Sequence, residues 1–193
     1  MYSRDCVDDI CVSGATSNYT RLLMSPEHAD TVKEDIQFVV HFLGDVHQPL
    51  HCARLNDKGG NLISPVYYNT NEGGVWDLHQ IWDFGIIENH VSDVSEGGDR
   101  LLEEVKEGGR WADDVDVWLE CSEGFDVVRT SEWGQESLDY ALAYAYVNEA
   151  GEEFKNGMDV SEMYAEERWE VVKVRLLQGG ARLPRILDDI AVK

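Results

Sequence analysis

Between Phe38 and Ile87 the sequence concentrates side chains able to hold a metal ion. Three of its six histidines fall in one short segment, His41-Phe-Leu-Gly-Asp-Val-His-Gln-Pro-Leu-His51, which also carries a carboxylate at Asp45. A second pair follows in His79-Gln-Ile-Trp-Asp83. His41 and Asp45 are four residues apart, as are His79 and Asp83, so each pair projects from one face of a helix. Imidazole nitrogen and carboxylate oxygen form the ligand set that zinc accepts where a position must stay open for water or substrate. Cys6 and Cys11 lie well away in sequence and do not compete for that role.

The elements that position these groups read as mainly helical. Ser25-Pro26-Glu27 looks like a helix start, with Ser25 as cap, Pro26 in the first turn and Glu27 placed against the helix dipole. Apolar residues Val32, Ile36, Val39, Val40 and Leu43 then repeat at three and four. Pro49 bars Gln48 from ordinary helical geometry and so ends or kinks the helix. His51 comes ten residues after His41, out of phase on a straight helix, and the break lets the two face different metal ions. Asp57-Lys-Gly-Gly-Asn61 is a turn. Leu62 to Tyr68 and Val75-Trp76 predict a small hairpin whose Pro65 marks an edge strand. Further helices are predicted from Leu78 to about Glu88, Gly98 to Lys106, Arg110 to Glu120, Ser131 to Ala150 and Ser161 to Gln178, with a last segment near Pro184 after a break at Gly179-Gly180. Ser95 to Asp99 and Cys121 to Asp126 read as surface loops.

A chain of 193 residues, 43% hydrophobic, is predicted to form one domain that buries about 70% of the unfolded surface. It contains no apolar run near the roughly 20 residues needed to span a bilayer, and Met1-Tyr-Ser-Arg-Asp5 lacks the apolar centre of a signal peptide. Net charge is −22, from 38 acidic and 16 basic residues. That field opposes polyanions, so binding to phosphate backbones is expected only locally, near bound cations. The spacing of Cys6 and Cys11 permits a small disulfide loop or two reduced thiols; Cys52 and Cys121 read as buried, inert thiols. Asn18-Tyr-Thr20 is a glycosylation sequon. His28 and His90 read as surface histidines. Trp76, Trp82 and Trp133 read as core. Asp57 and Asn61 suit either turn chemistry or contact with a substrate.

The pattern His41-x3-Asp45-x-His47-Gln-Pro-Leu-His51, then Gly59-Gly60-Asn61, then His79-x3-Asp83 closely resembles the S1/P1 nuclease family. Asp5-Cys6, Cys11-Val12, Asn18-Tyr19-Thr20, Trp133-Gly-Gln-Glu-Ser137 and Gly179-Gly-Ala-Arg-Leu183 resemble its other landmarks. The resemblance covers nearly the whole chain, residues 1–193, which match the later two-thirds of a complete member. It implies a mainly α domain of the phospholipase C/P1 nuclease type with one small β-hairpin. It also implies a nuclease that uses three zinc ions to hydrolyse single-stranded DNA and RNA and to remove 3′-phosphates from nucleotides. His51, His79 and Asp83 match the ligands of one zinc. His41 and Asp45 match ligands of the other two, with Asp45 bridging and catalytic, while His47 supports without ligating. Asp57 and Asn61 become candidate substrate contacts. A Cys6–Cys11 disulfide, glycosylation at Asn18 and a secreted or vacuolar location accompany the family. Its remaining zinc ligands match positions upstream of Met1, so the chain is expected to hold one complete three-ligand site. The expected partners are single-stranded nucleic acid or nucleotides, with no membrane and no known protein partner. Alternative readings are a non-catalytic zinc-binding remnant or interaction protein and a zinc phospholipase C-like hydrolase.

Overall fold

The computed structural model describes residues 5–25, 30–64, 66–67, 74–120 and 127–191. The chain enters through a turn, Val7–Asp9, closed by a Cys6–Cys11 disulfide with Cα atoms 5.2 Å apart. Cys11 also caps helix α1 (Val12–Leu23), its sulfur accepting from the Gly14 amide at 3.4 Å. Helix α2 (Val32–His47) packs along α1. The expected cap at Pro26-Glu27 and the surface reading of His28 lie outside the described residues. The buried stripe of α2 is Val39, Leu43 and Val46, whereas Val32, Ile36 and Val40 face its open flank. Which apolar positions are covered is thus decided by the neighbouring helices, because a three-and-four pattern fits two adjacent faces equally well.

As Pro49 predicted, α2 stops at His47. Gln48 is extended (φ −81°, ψ 118°), and Pro49–Cys52 make one tight helical turn. β1 (Val66–Tyr67) pairs antiparallel with β2 (Gly74–Val75), with Val66 opposite Val75, so the hairpin forms. β3 (Asp159–Val160) adds in parallel on the other side of β1, which is therefore the central strand and not an edge. Pro65 itself lies outside the described residues.

Helix α3 covers residues 78–90: Leu78–Gln80 and Ile86–His90 are α-helical and Ile81–Gly85 form a π turn. Asp77 and Gln80 cap its start reciprocally, each side chain accepting the other's backbone N–H. Helix α4 (Val94–Val105) takes in Ser95 to Asp99, which the glycine and acidic composition had suggested as a loop. Asp93 caps it through the Glu96 amide at 2.9 Å, and Gly97 lies against Val91, where a Cβ would come within 2.4 Å. Helix α5 is short (Asp114–Leu119). The Cys121 to Asp126 stretch lies outside the described residues. Helix α6 (Val127–Tyr140) ends in a second π turn, Ala141–Ala145, well before the predicted Ala150.

Helix α7 (Glu162–Ala191) runs unbroken through Gly179-Gly180 and Pro184, correcting the predicted break. Gly179 faces the His47 ring, where a Cβ would make ordinary van der Waals contact at 3.4 Å. Burial of Arg182 and Ile186 then holds the last turns despite the missing proline N–H. Of the histidines read as surface, His90 instead stacks on Trp169 (4.7 Å, 9°) with Nδ1–H donating to the Ile86 carbonyl. No helix among the described residues is long and apolar enough to cross a membrane.

Two apolar clusters fill the interior. One joins Leu78, Ile81, Trp82 and Ile86 of α3 to Tyr164, Ala165, Val171 and Val172 of α7. The other joins Val39, Leu43 and Val46 to Trp133 and Ile186. Trp82 and Trp133 are buried and Trp76 packs on the first cluster, as expected for core residues.

Where α2, α6 and α7 meet lies a buried polar knot that the sequence did not disclose. Arg175 donates to Glu136 and Gln178, to Ser137 Oγ and to the His47 carbonyl. Arg182 donates to Glu136 at 2.7 Å, to the Trp118 carbonyl at 3.1 Å and to His47 Nε2 at 2.8 Å. His47 Nδ1 is 2.7 Å from the Leu43 carbonyl, so Nδ1 carries the proton and Nε2 accepts. Burial, reinforced by both guanidinium charges, pushes its pKa down to about 3.

Glu136→Ala leaves two buried guanidiniums without their carboxylate and should cost about 3 kcal/mol in urea unfolding. The unfolded His47 takes up a proton below its ordinary pKa of 6.5, while the folded one does so only near 3. Its contribution to stability is therefore lost as pH falls through that window, by up to about 1.4 kcal/mol per unit. A urea titration repeated across the window, with His47→Asn as reference, checks the sign.

Candidate metal centre

Four pieces of backbone converge on one point. The last turns of α2 deliver His41 and Asp45, the Pro49–Cys52 turn delivers His51, the Lys58-Gly59-Gly60 turn approaches from one side, and α3 delivers His79 and Asp83. One nitrogen of His51, one of His79 and one oxygen of Asp83 all lie within 4.8 Å of each other. His51 Nε2 is 3.2 Å from Asp83 Oδ1, His79 Nε2 is 3.4 Å from Asp83 Oδ2, and the two imidazoles stack at 4.9 Å. Among the described residues no other three such donors gather so closely. His41 Nε2 lies 3.3 Å from Asp45 Oδ2, and Asp45 Oδ1 is 3.2 Å from His51 Nδ1. Asp45 thus stands between the exposed His41 and the three-donor group.

Each donor is oriented from behind. His79 Nδ1 is 2.7 Å from the Gly59 carbonyl, which can only accept, so the ring carries its proton there and offers Nε2 as a lone pair. The turn that presents this carbonyl has left-handed backbone at Lys58, Gly59 and Gly60 (φ 54°, 63° and 88°). Gln48, which sequence reasoning passed over, does two jobs. Its carbonyl oxygen accepts from the Leu50 amide and its amide donates to Asp83 Oδ1 at 2.7 Å, linking the helix break to the carboxylate. The available signal was its place before Pro49, where an extended backbone turns the side chain away from the helix.

The electrostatics of the group are mutually adjusted. Burial favours the neutral form of Asp83, but hydrogen bonds from His51 and Gln48 and the charges of His79 and His51 outweigh it and hold the carboxyl below its usual range. Burial likewise lowers the His51 pKa, and the Asp83 and Asp45 carboxylates more than reverse this. Two neutral-capable imidazoles and a carboxylate held ionised match the donor chemistry of a zinc site that keeps a position open.

Other candidates take structural places. His47 has both nitrogens engaged, by Leu43 and Arg182, and offers no lone pair to a metal. Asp57 Oδ1 accepts from the Tyr146 hydroxyl at 3.0 Å and the Gly60 amide at 2.9 Å. Asn61 donates to the Lys58 carbonyl on the surface. Cys52 is half-buried, burial pushes its thiol up to about 11, and its sulfur faces the Val46 carbonyl at 3.7 Å. Cys121 lies outside the described residues. Asn18 is exposed on α1, whereas the sequon's Thr20 is buried with its hydroxyl on the Thr16 carbonyl. Asp45, His51 and His79 border a cleft of about 1650 Å³ whose walls include the disulfide loop, Phe42, Arg54, Lys58 and Leu142, whereas Asp83 borders a separate cavity of about 350 Å³ beside Gln48 and Trp82.

The S1/P1 Nuclease family profile matches residues 1–192. Endonuclease 3 and Endonuclease 4 of Arabidopsis thaliana are 36% and 35% identical to 98% of this chain, and Nuclease S1 of Aspergillus oryzae is 32% identical over 98% of it. The match covers 64% of each plant enzyme and 66% of Nuclease S1. The chain belongs to the S1/P1 nuclease family, and it spans somewhat less than two-thirds of the length of those plant relatives.

Gly59 tests the local design. A Cβ there would meet the Leu50 carbonyl at 2.3 Å and His79 Nδ1 at 3.3 Å, at φ +63°. Gly59→Ala should destabilise by roughly 2 kcal/mol or more, whereas Gly98→Ala, in open space on α4, should stabilise by about 0.5–1 kcal/mol. Thermal unfolding of the two variants checks both signs.

Proposed function

We propose that this chain carries the metal-binding core of a zinc-dependent nuclease. That enzyme hydrolyses phosphodiester bonds of single-stranded DNA and RNA and removes 3′-phosphates from nucleotides. The observation that carries the reading is the convergence of His51, His79 and Asp83 within a chain of the S1/P1 family. A zinc ion held by these three residues would supply Lewis-acid stabilisation of a phosphate and its leaving oxygen.

The chain's own residues do the rest. His79, fixed by Gly59, and Asp83, fixed by Gln48, hold two ligand atoms in place before any ion arrives. Asp45 is the catalytic carboxylate in this reading. It faces the cleft between His41 and His51, where it would bridge further metal ions. Asn61, exposed on the turn, is placed to touch a substrate. Asp57 at the same turn is already committed to Tyr146 and Gly60, so any substrate contact by Asp57 shares a carboxylate in use. Arg54 and Lys58 on the cleft wall locally oppose the −22 charge of the chain. The disulfide fits a secreted or vacuolar protein, where Asn18 is a surface site for a glycan.

A second reading, a zinc-binding module without catalysis, draws on the side chain of His41. It is 70% exposed and, with Asp45, forms a pair rather than a three-donor group.

Elemental analysis after dialysis against zinc-free buffer, followed by a single-stranded DNA cleavage assay, separates the readings. The nuclease reading predicts at least one retained zinc per chain and cleavage. Retained zinc without cleavage supports the second reading, and no zinc contradicts both. His79→Ala should lose the tightly held ion and melt at lower temperature, because the ion stabilises the fold only when bound.

A further inference from the structure

The Lys58-Gly59-Gly60 turn bears the carbonyl that fixes His79, yet it belongs to no helix or strand. Most of its own bonds are local: Lys58 N–H to Leu55, Gly59 N–H to Arg54 and Leu62 N–H to the Asp57 carbonyl. A loop with left-handed backbone at successive residues is not held by such bonds alone, since they move with it.

The tie to the core is Tyr146. Its ring is fully buried in the α3–α7 cluster, and its position follows from the second π turn, where its N–H donates to the Ala141 carbonyl at 3.1 Å. Its hydroxyl reaches out to the turn. It accepts from the Arg54 N–H at 3.3 Å and donates to Asp57 Oδ1 at 3.0 Å, the oxygen that also receives the Gly60 amide at 2.9 Å. The guanidinium of Arg54 covers the same ring at 4.2 Å.

We infer that Tyr146 is a positioning residue of the metal centre, acting through Asp57 and the Gly59-Gly60 turn to hold His79 in the tautomer that offers Nε2. This rests on the metal-binding reading of His79 above. The physical chain is short. With Asp57 anchored, Gly60 is pinned, the preceding Gly59 carbonyl points at His79 Nδ1, and the proton stays on Nδ1. Without the hydroxyl, Asp57 and the Arg54 amide each lose a partner, the carbonyl is released and the ring is free to move its proton to Nε2. Such outer partners of a metal-binding histidine typically alter affinity by about 10- to 100-fold.

The test uses the whole chain with Tyr146→Phe, which keeps the buried ring. In the metal-free protein, nitrogen-15 shifts of the His79 ring should report Nδ1–H alone in the wild type and a mixture of tautomers in the variant. Zinc titration against a competing chelator, well below the melting temperature, should show roughly tenfold weaker binding in Tyr146→Phe and in Asp57→Ala, and no further loss in the double variant. Asp57→Asn keeps an acceptor oxygen and should lose less than Asp57→Ala. A variant that melts earlier but keeps the His79 tautomer and zinc affinity would overturn the positioning role. A wild type that binds no zinc while Tyr146→Phe still shifts the tautomer would overturn the metal-binding reading and leave the positioning intact.

Discussion

The structure depends on one half-buried carboxylate that pairs two buried guanidiniums. Glu136 receives Arg175 and Arg182, and through them the His47 ring and carbonyl. Burying two guanidiniums is unfavourable unless their donors are matched, and here the matching groups come from three helices plus the Trp118 carbonyl of α5. The knot fixes the C-terminal end of α2 against α6 and α7 at the residue where that helix must stop. Ser137, itself held by Arg175, adds a bond to the Val46 carbonyl. With the end of α2 fixed, Gln48, Pro49 and His51 have a defined origin. The donors at the surface are therefore aimed by a polar interaction several residues deeper.

A second constraint acts at short range. The carbonyl of Gly59 and the carboxylate of Asp83 both come from unusual backbone, one from a left-handed turn and the other from a π turn inside α3. Such conformations persist when neighbouring contacts determine them, and here Tyr146 on one side and Gln48 on the other do so. The acidic surface remains a barrier to long polyanions. Local cations on the cleft wall and any bound metal ion act over roughly 10 Å at 0.1 M salt, which confines attraction to the site.

Much of the donor set was legible because its signals are local. Four-residue spacing put His79 beside Asp83 and His41 beside Asp45, and the π turn beginning at Ile81 did not disturb the first pair. Pro49 announced the break that lets His51 reach Asp83 as well as Asp45, which it shares with His41. What stayed hidden required distant neighbours. Glu136 and Arg182 lie inside stretches that resemble family landmarks, but their pairing with each other and with Arg175 is decided by how α6 and α7 pack. Gly179-Gly180 read as a break because glycine weakens a helix by about 1 kcal/mol, a preference that burial of the flanking Leu177, Gln178, Arg182 and Ile186 overrides. The third strand at Asp159–Val160 was invisible for the same reason: two residues carry no periodicity, and their pairing with β1 joins positions far apart in the sequence.

Zinc K-edge absorption on the zinc-loaded chain tests the account most directly, because it reports which atoms touch the metal. The donor group of His51, His79 and Asp83 predicts a first shell of nitrogen and oxygen at about 2.0–2.1 Å with outer-shell scattering from two imidazoles. A sulfur shell near 2.3 Å, placing Cys52 on the metal, or a first shell without imidazole, would contradict it.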